Sequence, residues 1–243
     1  MNNKKIKIIF LFLIVILPSF SVINTDFRGL HNGYVSYLKK IPGDVLKDFV
    51  FKAKTKEKIV ALTFDDGPLK NTPKVVNFLK QNNLPATFFL VANKINQHNV
   101  TYYRDPLFSV GLHTKNHDDY RKLNYKQKLN DIENSIKIFN KYKLEANHFR
   151  PAYGIIDKDI RNILEQNNMK GIIWSLDSQD WNGYKKNILI NQISNNLTSG
   201  DIILFHDQVS ISDLRNVVKI IKTKGYKVVS LKKILSYDSD YPK

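Results

Sequence analysis

The chain has 243 residues, 42% hydrophobic and 12% aromatic, which suits one domain with a substantial core and excludes a disordered chain. It contains no cysteine, which removes disulfides, thiolate metal sites, a cysteine nucleophile and a lipid-modified N-terminal Cys together. A net charge of +16 suits polyanionic surroundings such as an acidic cell wall or an anionic membrane face, but the lysines are dispersed and no arginine-rich or aromatic-interleaved patch points to nucleic acid.

Lys4, Lys5 and Lys7 precede an apolar run from Ile8 to Leu17, followed by Pro18 and Ser19-Phe20-Ser21. A basic head, a short apolar stretch and a small-residue site describe a secretory signal, and the run falls short of the about 20 residues that span a bilayer. Residues 1–23 are expected to be a signal peptide or, if the run reaches Ile23 and stays uncleaved, a membrane anchor. Either way the protein is expected to be exported. Residues 24–55 lack clear periodicity and read as a connecting segment able to pack on the domain.

From Lys58 onward short apolar runs alternate with helical ones. Ile59 to Phe64 reads as a buried strand, and Thr72-Pro73 opens a helix as cap and first-turn proline, with Val75, Val76 and Leu79 on one face. Ala86 to Val91 and Leu107 to Leu112 read as further strands. Asn124 to Tyr142 reads as a helix with Leu129, Ile132, Ile136 and Phe139 at steps of three and four. Asn147 to Arg150 reads as a short strand, and Asp157 caps a helix carrying Ile160, Ile163 and Leu164. Gly171 to Leu176 and Asp201 to Phe205 read as strands, with a helix from Ile188 to Leu197 between them. Leu214 to Ile221 reads as a helix stopped at Gly225, and Tyr226 to Ser230 as a last strand. Such alternation predicts a parallel sheet covered by helices, closed as a barrel or open and doubly wound.

The unusual polar residues cluster in this pattern. Asp65-Asp66, His113 and His117, Arg150, Asp177 and Asp180-Trp181, and His206 each fall at the carboxyl end of an expected strand. That is the end at which α/β barrels and open α/β sheets build their sites. His113 and His117 share a face if they lie on a helical turn. With one carboxylate they form a two-His, one-carboxylate set that leaves a position open for water, as catalytic zinc requires. Alone the pair is weak, since surface and core histidines often stand four apart, and Thr114 excludes the zincin motif. Asp65-Asp66 before Gly67-Pro68 equally reads as a turn cap. Adjacent side chains on extended backbone diverge, so the two aspartates suit different roles.

The segments Thr63-Phe64-Asp65-Asp66-Gly67-Pro68, His113-Thr-Lys-Asn-His117, Phe149-Arg150-Pro151-Ala152-Tyr153-Gly154, Asp177-Ser-Gln-Asp180-Trp181 and Leu204-Phe205-His206 occur in this order. They resemble the five motifs of the polysaccharide deacetylases, the NodB-homology domains of carbohydrate esterase family 4, over roughly residues 56–237. The resemblance implies a distorted (β/α) barrel, usually seven-stranded, holding one divalent metal, typically zinc. By motif position Asp66, His113 and His117 would be the metal ligands and Asp65 the general base held by Arg150. The Tyr153 backbone N–H would help to bind the oxyanion, and His206, tuned by Asp180, would be the general acid. Trp181 and Leu204 would line the acetyl pocket. Ala152 stands where the family often has a second proline, and the region around Asp105-Pro106 departs from the pattern at the rim of the groove. The implied activity is removal of N-acetyl groups from an amino-sugar polysaccharide such as peptidoglycan, a chitin-like oligomer or poly-N-acetylglucosamine. The alternatives are an esterase on O-acetylated xylan and a non-catalytic glycan-binding relative, which needs neither base nor acid.

Overall fold

The computed structural model describes residues 27–145, 147–182 and 186–242. The expected signal at residues 1–23 lies outside them. Among the described residues no helix is long and apolar enough to cross a membrane.

The segment expected to connect has structure of its own. Helices α1 (Asn32–Leu38) and α2 (Gly43–Leu46) lead into the short strands β1 (Phe49–Val50) and β2 (Lys52–Ala53). Phe27, Leu30, Leu38, Val45, Phe49 and Phe51 are buried in the same core as the rest of the molecule. The apolar positions of this stretch serve two very short helices and two two-residue strands, too brief to show a period.

The remaining strands are β3 (Ile59–Gly67), β4 (Ala86–Leu90), β5 (Phe108–Leu112), β6 (His148–Phe149), β7 (Lys170–Ile172), β8 (Leu176–Asp177), β9 (Ile202–His206), β10 (Lys227–Val228) and β11 (Ser239–Asp240). They form a curled parallel sheet in the order β1-β7-β6-β5-β4-β3-β9-β8, with β10 against the start of β3 and β11 antiparallel to β2. This is the expected distorted (β/α) barrel, with eight strands along the path because β1 adds an edge beyond β7. Except for Asp66, β3 is buried throughout, and Phe64 stacks between Phe88 and Phe205 at 5.2 and 5.5 Å. Its continuous apolar run is what a strand covered on both faces requires.

The run Gly171 to Leu176 is two strands rather than one. Between them the Ile173 N–H donates to the Val50 carbonyl at 2.8 Å, and the Ser175 N–H donates to that of Ile202 at 3.1 Å. The stretch thus crosses from one edge of the sheet to the other, bridging the barrel, and periodicity cannot reveal a change of partner.

The helices are α3 (Thr72–Gln81), α4 (Tyr125–Lys141), α5 (Lys158–Gln166), α6 (Lys186–Asn196), α7 (Ile211–Thr223) and α8 (Leu231–Ile234). A reciprocal capping box between Asn124 and Gln127 starts α4, and the Asp157 carboxylate caps α5 through the Ile160 N–H at 2.8 Å. Thr72 does not cap α3. Asn71 occupies that position, while the Thr72 hydroxyl accepts from the Leu69 N–H and donates to the buried carboxylate of Asp207.

Candidate active site

The carboxyl ends of β3, β5, β8 and β9, with the loops after them, enclose a cleft of about 450 Å³. Asp65, Asp66, His113, His117, Tyr153, Asp177, Trp181, Leu204 and His206 line it.

At the end of β3 the pairing register with β4 shifts between Phe64 and Gly67, and Asp66 adopts φ 71°. That left-handed turn re-aims its side chain, so both carboxylates enter the same cleft and do not diverge as extended backbone would require. A Cβ at Gly67 would collide with the Asp207 carboxylate and lie 3.2 Å from the Tyr103 hydroxyl, so a larger residue there would force the buried Asp207 side chain to move.

His113 follows β5, and His117 sits in a loop with φ 65°, not on a helical turn. The loop is shaped by Thr114 at φ 63°, whose hydroxyl accepts the His117 N–H at 2.9 Å. It is tied to α4 by Asp131, which accepts the Lys115 N–H at 3.0 Å and the Tyr120 hydroxyl at 2.6 Å. Burial pushes the Asp131 carboxyl up, while these two donors pull it down. An aspartate on the buried face of an amphipathic helix is the signal by which the sequence could have disclosed this anchor. Left-handed residues cluster around the cleft, with Asp66, Thr114, His117 and Tyr153 among them, as backbone strain does at functional sites.

Asp66 Oδ1 lies 3.4 Å from His113 Nε2 and 3.1 Å from His117 Nε2, and the atom is enclosed with no hydrogen bond. His113 Nδ1 is 2.8 Å from the Arg150 carbonyl, which can only accept. Nδ1 therefore carries the proton, and the bare Nε2 lone pair faces Asp66. Burial works to raise the Asp66 carboxyl, and hydrogen bonds from His113 and His117, when their Nε2 atoms carry protons, outweigh it and hold the carboxyl well below the ordinary carboxylate range. Donors about 2.0–2.2 Å from a tetrahedral ion stand roughly 3.3–3.6 Å apart, close to the separations observed here. The three side chains therefore fit a single divalent cation with borderline-soft preferences.

Beside this group Asp65 is buried and paired with Arg150 at 2.7 Å. Arg150 is fully buried and also donates to the Thr63 hydroxyl and to the carbonyls of Ile172 and Ile173, at 2.8–3.1 Å. Its guanidinium lies 4.0 Å from the Phe89 ring centroid. A planar fork with five donors can hold the carboxylate and both carbonyls at once.

On the neighbouring strand β9, where it is the register partner of Asp65, His206 has Nδ1 2.8 Å from Asp180 Oδ1, and its backbone N–H donates to Asp180 Oδ2 at 2.7 Å. Burial disfavours the imidazolium, but Asp180 overrides it, with smaller help from Asp65 and Asp66, and raises His206 to about 9. The ring can therefore hold a proton at neutral pH and offer it from Nε2. Trp181 stands 46% exposed at the mouth, its indole N–H 3.3 Å from the Asp177 carboxylate. Burial lifts Asp177 to about 6. Leu204 lies at the floor, and Tyr153, at φ 59°, packs edge-on against His117 at 4.7 Å.

All ten residues expected to build a site thus surround one cleft or brace its walls. The cleft also includes His31, Tyr34, Trp174 and Gln208, which carry no local motif. Asp207 stands behind it, fully buried beside Thr72, with burial lifting its carboxyl to about 7. Only its position after His206 hints at it in the sequence.

A family model described as polysaccharide deacetylase matches residues 52–172. The chain is 36% identical over 183 residues to a peptidoglycan-N-acetylglucosamine deacetylase of Bacillus cereus, covering 71% of this chain and 66% of that protein. A second B. cereus protein of the same description is 33% identical over 193 residues, covering 74% of this chain and 90% of that one. The fold is similar to the crystal structure of a peptidoglycan N-acetylglucosamine deacetylase in complex with 4-naphthalen-1-yl-N-oxidanyl-benzamide, at TM-score 0.71 and 29% identity, covering 86% of this chain and 99% of that chain. With its motifs gathered at the carboxyl edge of a curled parallel sheet and this agreement across most of its length, the chain belongs to the polysaccharide deacetylase family.

Proposed function

We propose that the protein hydrolyses the N-acetyl groups of N-acetylglucosamine residues in a polysaccharide, with peptidoglycan the favoured polymer, and releases acetate. The observation that carries this reading is the convergence of three groups in one cleft. A cation-sized Asp66-His113-His117 cradle shares the cleft with a carboxylate held by a buried arginine and with a histidine bonded to Asp180. A divalent cation, which we take to be zinc, would when bound polarise the acetyl carbonyl and acidify a water.

The other steps rest on the chain itself. Asp65 accepts the proton of the attacking water while Arg150 fixes its orientation. The Tyr153 N–H donates to the developing oxyanion, a contact of the kind whose loss costs about 3–4 kcal/mol. His206, held by Asp180, donates its proton to the leaving nitrogen. That proton favours amide over ester substrates, because an amide nitrogen cannot leave as an anion at neutral pH. Leu204 and Trp181 shield the acetyl methyl group and the sugar. Export through the basic, apolar N-terminus agrees with a cell-wall substrate, and the net charge of +16 with an acidic wall.

The test is incubation of the chain, with added zinc, with peptidoglycan, chitooligosaccharide, poly-N-acetylglucosamine and acetylated xylan, followed by mass spectrometry. Loss of acetyl from an amino sugar is expected. Loss from xylan alone would make the protein an esterase, and loss from none a binding protein.

A further inference from the structure

The family model begins at residue 52, yet two residues upstream of it, His31 and Tyr34, line the cleft. We propose that the segment Gly29–Leu38 is a wall of the substrate site, in which His31 is a specificity-determining hydrogen-bond donor to the sugar bound beside Trp181 and Tyr34 is a positioning residue for the Tyr153 turn. The inference rests on the deacetylase reading above and adds to it a part of the site that the motifs do not contain.

The segment is fastened at both ends of the cleft. On one side the Gly29 carbonyl accepts the Asp177 N–H at 3.1 Å and the Gln192 side-chain amide at 2.7 Å, docking the chain on β8 and α6. On the other, the Tyr34 hydroxyl donates to the Gly154 carbonyl at 2.9 Å. The Tyr37 hydroxyl both donates to the Ile156 carbonyl and accepts the Ile156 N–H, each at 2.7 Å. The Tyr34 ring stacks on Trp174 at 5.1 Å. A Cβ on Gly154, itself at φ 66°, would lie 2.6 Å from the Tyr34 hydroxyl and 2.7 Å from the Trp174 ring. The turn at Ala152–Gly154 is therefore pressed from the far side by a residue 120 positions earlier in the chain. The peptide that follows Tyr153 is held within the turn by the Gly154 N–H donating to the Pro151 carbonyl at 3.0 Å, and Tyr34 fixes the next one, Gly154–Ile155, at the end of the same turn.

His31 has a different position. It is exposed and caps α1 by accepting the Gly33 N–H on Nδ1 at 3.2 Å. With Nδ1 as acceptor, the neutral ring carries its proton on Nε2. Its ring meets Trp181 edge to face at 6.2 Å, so an N–H donor and an indole face stand together at the mouth. A pyranose offers a C–H face and equatorial hydroxyl or carbonyl oxygens, the complement of such a pair. A helix cap needs only the acceptor, so the donor is free for substrate.

Three full-length variants test this by steady-state acetate release from an N-acetylglucosamine oligomer. His31→Asn keeps a good N-cap but cannot reach the cleft. We expect an unchanged Tm and a KM raised about threefold to tenfold, the worth of one neutral hydrogen bond, with a larger change in KM than in kcat. His31→Ala should raise KM equally while also lowering Tm. Tyr34→Phe keeps the ring stack and should lower kcat about threefold to tenfold with a smaller change in KM. If His31→Asn restores both Tm and KM to wild-type values, His31 is only a cap and the proposed donor is overturned. If Tyr34→Phe leaves kcat unchanged, the positioning role is overturned. A wild-type chain that releases no acetate from any amino-sugar polymer overturns the deacetylase reading and this inference with it, whereas an active wild type with indifferent variants overturns the inference alone.

Discussion

The two adjacent aspartates allow the most discriminating experiment, because the geometry assigns them to different neighbours. Asp66 Oδ1 faces His113 and His117 Nε2 at 3.4 and 3.1 Å, whereas Asp65 Oδ1 is held by Arg150 at 2.7 Å. Asp66→Asn replaces an anionic oxygen of the cradle by a neutral amide. Metal affinity should fall by more than the about 10–100-fold that loss of a supporting group costs. Asp65→Asn should leave metal content near one per chain and cut the rate by about 10²–10⁴-fold, the share of a positioned base. The same change removes the anion opposite a fully buried arginine. Breaking a buried pair outright costs about 3–5 kcal/mol, but here the asparagine oxygen, the Thr63 hydroxyl and two carbonyls still accept from Arg150, so that figure is an upper bound. At about 2–4 °C per kcal/mol for a chain of this size, Tm should fall by at most about 20 °C. Metal analysis by mass spectrometry, acetate release and thermal melts on the two proteins side by side provide the check. The activity of Asp65→Asn should also recover in part as pH rises, since hydroxide can replace a missing base. Loss of metal from Asp65→Asn with retention in Asp66→Asn would reverse the two roles. Small, equal effects with normal metal in both would reduce the pair to a turn cap.

Other expectations follow from the same geometry. His206→Ala should keep metal and lose about 10²–10⁴-fold on an amide but less on an activated ester whose leaving group needs no proton, and an equal loss on both would mark a structural histidine. In the metal-free chain the His206 ring should titrate near 9 by NMR, falling toward the ordinary histidine range in Asp180→Asn, and no movement in that variant would remove Asp180 as the cause. Because this pKa is raised in the folded state, the stability it confers is complete below about pH 6.5, the ordinary histidine value, and is lost as pH climbs through about 9. Gly67→Ala should lower stability by about 1–3 kcal/mol, since the added methyl meets Asp207, and a wild-type melting curve would refute that crowding. A reporter fused to residues 1–25 should leave the cytoplasm, and its retention there would end the export reading.

What the sequence by itself determined is the alternation of apolar strands and amphipathic helices and the polar residue at each strand's end. Asp65 and His206 were legible because β3 and β9 are buried on both faces and almost purely apolar, so the charged residue at their carboxyl ends stands out, while His113 and Arg150 follow the shorter or more mixed strands β5 and β6. The α5 cap was legible because a capping side chain such as that of Asp157 bonds to a backbone N–H three residues away. Tertiary structure alone decided the rest. The left-handed turn at Asp66 brings both carboxylates into one cleft, and the His113–His117 pair meets in a strained loop instead of along a helix. The run Gly171 to Leu176 splits because its middle exchanges one edge of the sheet for the other. The segment before residue 52 belongs to the site because Tyr34 bonds to Gly154, 120 residues away, and Asp65 is held by an arginine 85 residues away. Local pattern reports the period with which a segment buries its own side chains. It says nothing of which distant backbone or charge will stand opposite, and at this cleft those partners set the orientation of the site residues.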